Sequence, residues 1–538
     1  EISLGLVGSE MCIRDRIQNL PLGTSDFSAL RVADEIYVDK TEFIYELASQ
    51  KAKYLFVRPR RFGKSLLIST FESLFKYGLR EFKGLAIEKL WKDKAKYHVV
   101  KLDFSEAKYF SSPEQFSERL VSLIVRNFAR VGFSYIPESA ESIFDQWSEW
   151  LKTLDRDSLV VLVDEYDSPL TSCLEQEELF AAVREQLSKF YAELAANERV
   201  LRFVFVTGII RLNEVCLSSD FGRFTDLSLD PRYGSLVGFT RDEVEGYFEN
   251  YLEKVAKDLA RSREDLIKQL VAQYGGYCFE ETGSTKVLAP WSLLNFLAYP
   301  SRAFLAYWFE TGGAASLLKY LKTQAVKAPE EFSREKRISR SELLGVSGSL
   351  SDIAFLTQAG YLTIKAPEPG ETFLLDYPNL EVRRSMAQMY TEKLLGGKVP
   401  GQVGAGPIVE ALSKEDLEFV VVVLNRFLSA IDYQKYLVKD EATLRAYVQV
   451  YLAAAGSGVE AEFEDDRRKE LKVKVDGREW IFDFRIVKAL KDASEHNVDA
   501  DKHMEKIHPR DQDDRRDTRK VRLVFSTEAR QFVMWREL

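Results

Sequence analysis

The sequence predicts an α/β protein built on a parallel, doubly wound sheet, and three observations predict it. Short apolar runs of strand length, Tyr54-Leu-Phe-Val57, His98-Val-Val-Lys-Leu-Asp-Phe104, Ser158-Leu-Val-Val-Leu-Val163 and Val200-Leu-Arg-Phe-Val-Phe-Val206, are separated by stretches long enough for helices. The first run breaks into a basic turn that ends in Gly63-Lys64-Ser65 and leads into a helix pattern. The third ends abruptly in two acids, Asp164-Glu165.

Residues 1–16 fit nothing that follows and read as translated sequencing-adapter sequence, so they are set aside from fold reasoning. From about Leu20 the pattern becomes regular. Gly23-Thr-Ser-Asp-Phe27 reads as a turn, and Thr41 in Tyr37-Val-Asp-Lys-Thr41 is placed to cap a helix carrying Phe43, Ile44 and Leu47. The turn Arg58-Pro59-Arg60-Arg61-Phe62-Gly63-Lys64-Ser65 and the following Leu66 then supply a candidate phosphate loop. In such a loop, backbone N–H groups and a helix N-terminus cradle phosphates, the Lys reaches the β- and γ-phosphates, and the Ser hydroxyl ligates Mg²⁺. The first glycine of the usual pattern falls at position 58, where this chain has Arg. The plainer reading is a basic turn capped by Ser65. The helix that follows carries Leu66, Leu67, Thr70, Phe71, Leu74 and Phe75, and a second helix runs from Pro113 to about Val131.

The Ser158–Val163 run is apolar enough to be a buried strand with carboxylates at its C-terminal end. In P-loop ATPases the first such carboxylate holds Mg²⁺ and the adjacent Glu orients or deprotonates the attacking water, roles that fit Asp164 and Glu165. Asp167 or Ser168 has a simpler use as the cap of a helix starting at Pro169. Thr207 ends the next strand in the position of a residue that senses phosphate. Arg211 has two readings, contact with the γ-phosphate or pairing with a surface carboxylate.

Composition narrows the rest. The 538 residues are 46% hydrophobic and 12% aromatic, enough for large cores and, by length, about three or four domains. With 84 acidic residues against 75 Lys plus Arg, the net charge of −9 gives no general field for polyanions, so any nucleic-acid contact must use a local basic surface. Four Cys, Cys12, Cys173, Cys216 and Cys278, lack metal-site or disulfide spacing, which points to a reducing, cytoplasmic setting. No apolar run approaches the ~20 residues that span a bilayer, and the oligomeric state is open.

Tyr37-Val-Asp-Lys-Thr41, Arg58-Pro-Arg-Arg-Phe-Gly-Lys-Ser65, Val163-Asp-Glu-Tyr-Asp167, Val206-Thr-Gly208 and Gly238-Phe-Thr240 together resemble the AAA-ATPase-like family of bacterial proteins, which commonly carry a PD-(D/E)XK nuclease-like C-terminus. In that family Arg stands in place of the first loop glycine. The resemblance implies ATP and Mg²⁺ as ligands and a P-loop NTPase core at 20–245 whose sheet has an extra strand between the two motif strands. It continues through Tyr274-Gly-Gly-Tyr-Cys-Phe279, Pro290-Trp291-Ser292 and Tyr307-Trp308 into a helical lid and winged-helix-like region at 246–395. These aromatics read as core packing, except that Pro290-Trp291-Ser292 is placed to approach the nucleotide. The Gly-rich stretch 396–407 reads as a linker.

Residues 408–538 begin again as a small α/β domain, with helices around 409–429 and 440–455 and strands at 471–475, 479–484 and 521–525. In PD-(D/E)XK nucleases an acid on one strand and an acid-x-Lys on the next gather a metal ion and activate water. The resemblance places Glu470, Asp483 and Arg485 at those positions, with DNA or RNA as the implied partner. Both acids are swapped for their homologues, and Arg485 replaces the Lys. His503 stands where Gln is frequent, and Arg467 stands where Gly precedes the arginine matched by Arg468. These departures favour a weakened or lost nuclease; the alternative is alternating charge on solvated strand edges. The mixed-sign tract Arg510–Lys520 reads as a solvated loop.

Overall fold

The computed structural model describes residues 18–212, 224–300, 304–310, 327–345, 351–456, 459–462, 470–475, 477–489 and 518–538. Residues 1–16, Cys216, Arg467, Arg468, His503 and 510–517, all named above, lie outside them. The chain forms two compact units, one of residues 1–320 and 336–379, the other of residues 321–335 and 380–538.

In the first unit β1 (Ala52–Val57), β2 (His98–Asp103), β3 (Leu159–Asp164), β4 (Leu201–Gly208) and β5 (Thr225–Asp226) form one sheet in the order β2-β3-β4-β1-β5. Every pairing is parallel. β4 therefore lies between β1 and β3, the extra strand that the resemblance implies. The sheet is covered on both faces, which is why its strands read as continuous apolar runs and not as alternation. Helices α1 (Phe27–Val32) and α2 (Thr41–Ala48) precede β1, and α3 (Lys64–Tyr77) follows it. Phe71 and Phe75 of α3 pack against Phe203 and Phe205 of β4 at ring separations of 4.8–5.1 Å. The other core joins α4 (Pro113–Ala129), α5 (Ile143–Thr153) and α7 (Glu177–Ala196) to the strands around Trp147, which stacks on Phe190 at 5.2 Å. Between them, α6 (Ser168–Ser172) follows β3.

Two expectations about caps are corrected. Thr41 is the first residue of α2, and it is Asp39 that accepts its N–H and hydroxyl, at 2.9 and 2.6 Å. Asp167 makes no cap bond to α6. Its carboxylate is drawn instead to the end of β4, for reasons given below.

Beyond the sheet, helices Arg241–Tyr247, Glu249–Asp258, Arg263–Tyr274 and Pro290–Ala298, the stretch read from the sequence as a lid, share a core of Phe248, Leu252, Leu270, Tyr274 and Phe296. Short helices Arg340–Leu343 and Asp352–Gln358 precede the hairpin of β7 (Thr363–Glu368) and β8 (Thr372–Asp376), and β6 (Lys336–Ser339) completes an antiparallel sheet.

The second unit holds helices Leu380–Leu394, Ala405–Ser413, Leu417–Ser429 and Glu441–Ala455. Its sheet, in the order β13-β12-β11-β10-β9, comprises β9 (Val459–Glu462), β10 (Glu470–Val475), β11 (Arg478–Val487), β12 (Thr518–Ser526) and β13 (Gln531–Glu537). β11 and β12 run parallel; the other neighbours are antiparallel. At the β13 edge the Asn425 side chain accepts from the Phe532 N–H at 2.6 Å and donates to the Phe532 carbonyl at 3.0 Å.

Residues 396–407, read as a linker, lie inside this unit. Pro400, Val403 and Ala405 are buried and the helix Ala405–Ser413 begins within the stretch. Its glycines serve geometry: Gly404 has φ +94°, and a Cβ there would sit 2.9 Å from Val423. Arg519 and Lys520, placed by sequence in a solvated loop, belong to β12.

Candidate nucleotide site

The loop between β1 and α3 is shaped by two residues with positive φ, Arg61 at +66° and Gly63 at +97°. The glycine adopts this at no steric cost; Arg61 does not. Arg61 lies over the Trp291 ring at 4.3 Å, which joins the loop to the lid helix Pro290–Ala298. Phe62 is buried against Tyr277 and Phe279, at 4.8 and 5.1 Å. Trp308 donates from Nε1 to the Arg60 carbonyl at 3.0 Å. Thus the segments that read as core aromatics form the seat of the loop.

Lys64 opens α3 and is buried. Its Nζ donates to the carbonyls of Arg58 (2.9 Å) and Pro59 (2.8 Å). Burial pulls its ammonium below the usual lysine range, while the charges of Asp164, Asp167 and Glu165 oppose that shift. A cavity of about 450 Å³ opens above the loop. Arg60, Arg61, Phe62, Gly63, Lys64, Ser65 and Leu66 line it together with Asp164, Glu165 and Trp291.

Asp164 ends β3, and its Oδ1 accepts from the Thr207 hydroxyl at 2.7 Å and from the Glu165 N–H at 3.0 Å. Glu165 has φ +49°, a conformation that costs a non-glycine residue about 1 kcal/mol or more. Thr207 is thereby a partner of Asp164, not a lining residue of the cavity.

Three residues, Arg58, Pro59 and Asp167, sit differently from the sequence reading, and Arg211 takes one of its two readings. Arg58 is 1% exposed and does not line the cavity. Its guanidinium donates to the carbonyls of Val57 (2.8 Å), Ser228 (2.8 Å) and Tyr233 (3.2 Å), and lies over the rings of Phe56 and Phe279. Pro59 faces Gly360, where a Cβ would come within 2.8 Å of its ring, and contributes only its carbonyl to Lys64. Arg211 pairs with Asp226 at 2.6 Å, the carboxylate alternative, and is likewise absent from the cavity lining. Asp167 is buried and accepts from the N–H groups of Ile209 and Ile210, the latter at 2.8 Å. The Tyr166 hydroxyl adds a bond to the Ile210 carbonyl at 2.8 Å. The Glu-Tyr-Asp motif is therefore divided: Glu165 faces the cavity, while Tyr166 and Asp167 clamp the chain after β4.

Burial raises the Asp167 carboxyl from 3.8 to about 6. A carboxyl that is harder to ionise in the folded state favours folding below pH 3.8, and that advantage is lost as pH rises through 6. We expect wild-type stability to fall relative to Asp167→Asn between those limits, by at most ~3 kcal/mol. Urea midpoints of both proteins across pH 4–7 check it; a constant difference would exclude this burial effect.

In the second unit the register sets Glu470 opposite Asp483, and Asp483 opposite Arg522, in one row across β10, β11 and β12. The two acids named from sequence are thus neighbours. Their other neighbours were not foreseen. Asp483 accepts from Arg522 Nε at 2.7 Å and lies 3.4 Å from Arg485, which also approaches Glu441 at 3.6 Å. Glu470 pairs with Lys520 at 2.6 Å. Among the described residues no cluster of three or more His, Cys, Asp or Glu is arranged to hold a metal ion.

The parallel sheet, the loop and the strand-end acids together have the layout of a P-loop core. Residues 21–218 match the family model described as predicted AAA-ATPase. The chain is 28% identical over 481 residues to the "Uncharacterized protein in vnfD 5'region" of Azotobacter chroococcum mcd 1, a match covering 87% of this chain and 90% of that protein. Among solved structures, the Aeropyrum pernix ORC2 protein in ADPNP-ADP complexes is 15% identical, with a TM-score of 0.24 over 68% of this chain and 93% of that one. Cdc6p from Pyrobaculum aerophilum is 13% identical, with a TM-score of 0.25 over 66% and 93%. Similarity at that level leaves the reading of the site to the chain's own residues. Among the described residues no helix is long and apolar enough to cross a membrane.

Proposed function

We propose that this protein binds ATP with Mg²⁺ in the cavity above the loop and hydrolyses it. One observation carries the reading: Lys64, at the start of α3, and the Asp164-Glu165 pair, at the end of β3, line a single cavity. The residues fit the ligand. The loop's cation is held by two carbonyls that phosphate oxygens can replace, and Ser65 and Asp164 offer the oxygen donors that Mg²⁺ prefers. When bound, Mg²⁺ neutralises the charge developing on the phosphates. Thr207 fixes the orientation of Asp164, and Glu165 stands as the base or orienting group for water.

Titration of the purified protein with ATP and Mg²⁺ tests binding, and Glu165→Gln tests the second role. That variant keeps the side chain's shape and loses its basicity, so we expect unchanged ATP affinity with hydrolysis slowed by ~10²-fold or more. Wild-type turnover in it would remove Glu165 from the mechanism.

For the second unit we infer a nuclease-like fold, and two roles follow. In one, the nucleotide cycle governs an action on DNA or RNA; in the other, the domain is an interaction scaffold without cleavage, and the ATPase is a switch. The pairing of Asp483 with Arg522 and of Glu470 with Lys520 favours the scaffold, because both carboxylates needed for a metal are already neutralised. We expect no Mg²⁺-dependent cleavage of single- or double-stranded DNA or RNA by the 538-residue chain, and no lowering by Arg485→Lys. Robust cleavage lost on that substitution would restore the nuclease reading.

A further inference from the structure

The segments Tyr37–Thr41 and Gly238–Thr240 meet at the same cavity. Tyr37-Val-Asp-Lys-Thr41 brings Lys40 to its wall, where the residue is 8% exposed. Gly238-Phe-Thr240 opens the lid helix Arg241–Tyr247, whose capping box uses Thr240 and Glu243. The Lys40 ammonium pairs with Glu243, 203 residues away in sequence. Glu243 is held in turn, its Oε2 accepting from the Thr240 N–H at 2.8 Å.

We propose that Lys40 is a second cationic contact to the bound nucleotide, made at the nucleoside end and positioned by Glu243. A buried ammonium has three donors, and one carboxylate oxygen leaves donors for the acceptor oxygens of a ribose or the ring nitrogens of a purine. Lys64 and the strand-end acids mark the phosphate end. The strongest charges acting on Lys64 are those of Asp164, Asp167 and Glu165, whereas those acting on Lys40 are Glu243 and Asp39. The two lysines thus occupy separate electrostatic neighbourhoods of one cavity. The cavity lining includes Ile36 and Val38 of the segment that carries Lys40, and Leu294 and Phe239 of the same apolar cluster, side chains suited to a nucleoside and not to a triphosphate.

The inference rests on the ATP reading of the cavity, and its test separates the two. ATP and ADP affinities are measured by calorimetry for the full chain, for Lys40→Met and for Lys40→Met/Glu243→Gln. The double variant removes both charges, so the half-buried Glu243 carboxylate is not left without its cation if the single variant fails to fold. We expect ATP and ADP to weaken by the same factor, roughly tenfold or more, because the lost contact lies away from the γ-phosphate. Unchanged affinity in a folded variant, or a loss confined to ATP, would overturn the assignment while leaving the nucleotide site intact. Absence of ATP binding by the wild type would overturn both.

Discussion

Lys64→Ala is expected to lower ATP affinity by ~10²-fold or more and to leave the fold intact. The affinity loss follows from charge: the ammonium is the buried cation at the start of α3, and charge-assisted bonds to phosphate are about twice as strong as neutral ones. The fold survives because the Nζ partners are two carbonyls of the loop itself, those of Arg58 and Pro59. Their loss is local, about 1 kcal/mol each. Calorimetry with Mg²⁺–ATP, paired with a thermal melt, checks both halves. Undiminished binding by a folded Lys64→Ala protein would sink the assignment of the loop.

Arg58→Ala is expected to do the opposite, removing about 3 kcal/mol or more of stability whether or not nucleotide is present. Three carbonyls, from Val57, Ser228 and Tyr233, lose a donor at once, and the rings of Phe56 and Phe279 lose the flat cation lying over them. Arg58→Lys should restore little, since a single ammonium cannot reproduce a planar fork that stacks and donates in several directions. Denaturant unfolding measures the effect. A stability within 0.5 kcal/mol of wild type would show that the guanidinium does not hold β1 to the segment after β5.

The contrast between these neighbours shows what the sequence made legible and what it did not. The parallel core was readable because β1, β3 and β4 are apolar on both faces and the residues at their ends are chemically distinctive. Gly63-Lys64-Ser65 and Asp164-Glu165 could be placed on one site from their positions at strand ends alone. The direction in which Arg58 turns could not, because an arginine beside a phosphate loop and an arginine plugging a core have the same one-dimensional context. Asp167 misled for a similar reason: an acid before Ser-Pro looks like a helix cap, and only the return of β4 beside β3 supplies the two N–H groups it binds. In the second unit, Arg522 and Lys520 lie about 40–50 residues after the acids they meet, and parallel pairing of β11 with β12 brings them together. The strand character of β13 is weak in the sequence because its apolar run, Phe532 to Trp535, is short and flanked by polar and charged residues. Glycines at 396–407 were taken for flexibility where they supply positive φ and close approach.

The Asn425 side chain has a consequence for how this protein meets copies of itself. A carboxamide presents one acceptor and one donor at nearly the spacing of a peptide group, so at Phe532 it occupies the place of a neighbouring strand. An incoming chain that sought to lengthen the sheet at that point would find the backbone groups already taken by a residue anchored on a packed helix. It would have to break two bonds before making any. The outer strand can therefore carry apolar side chains, Trp535 among them at 41% exposure, without offering a continuous template for fibrous growth.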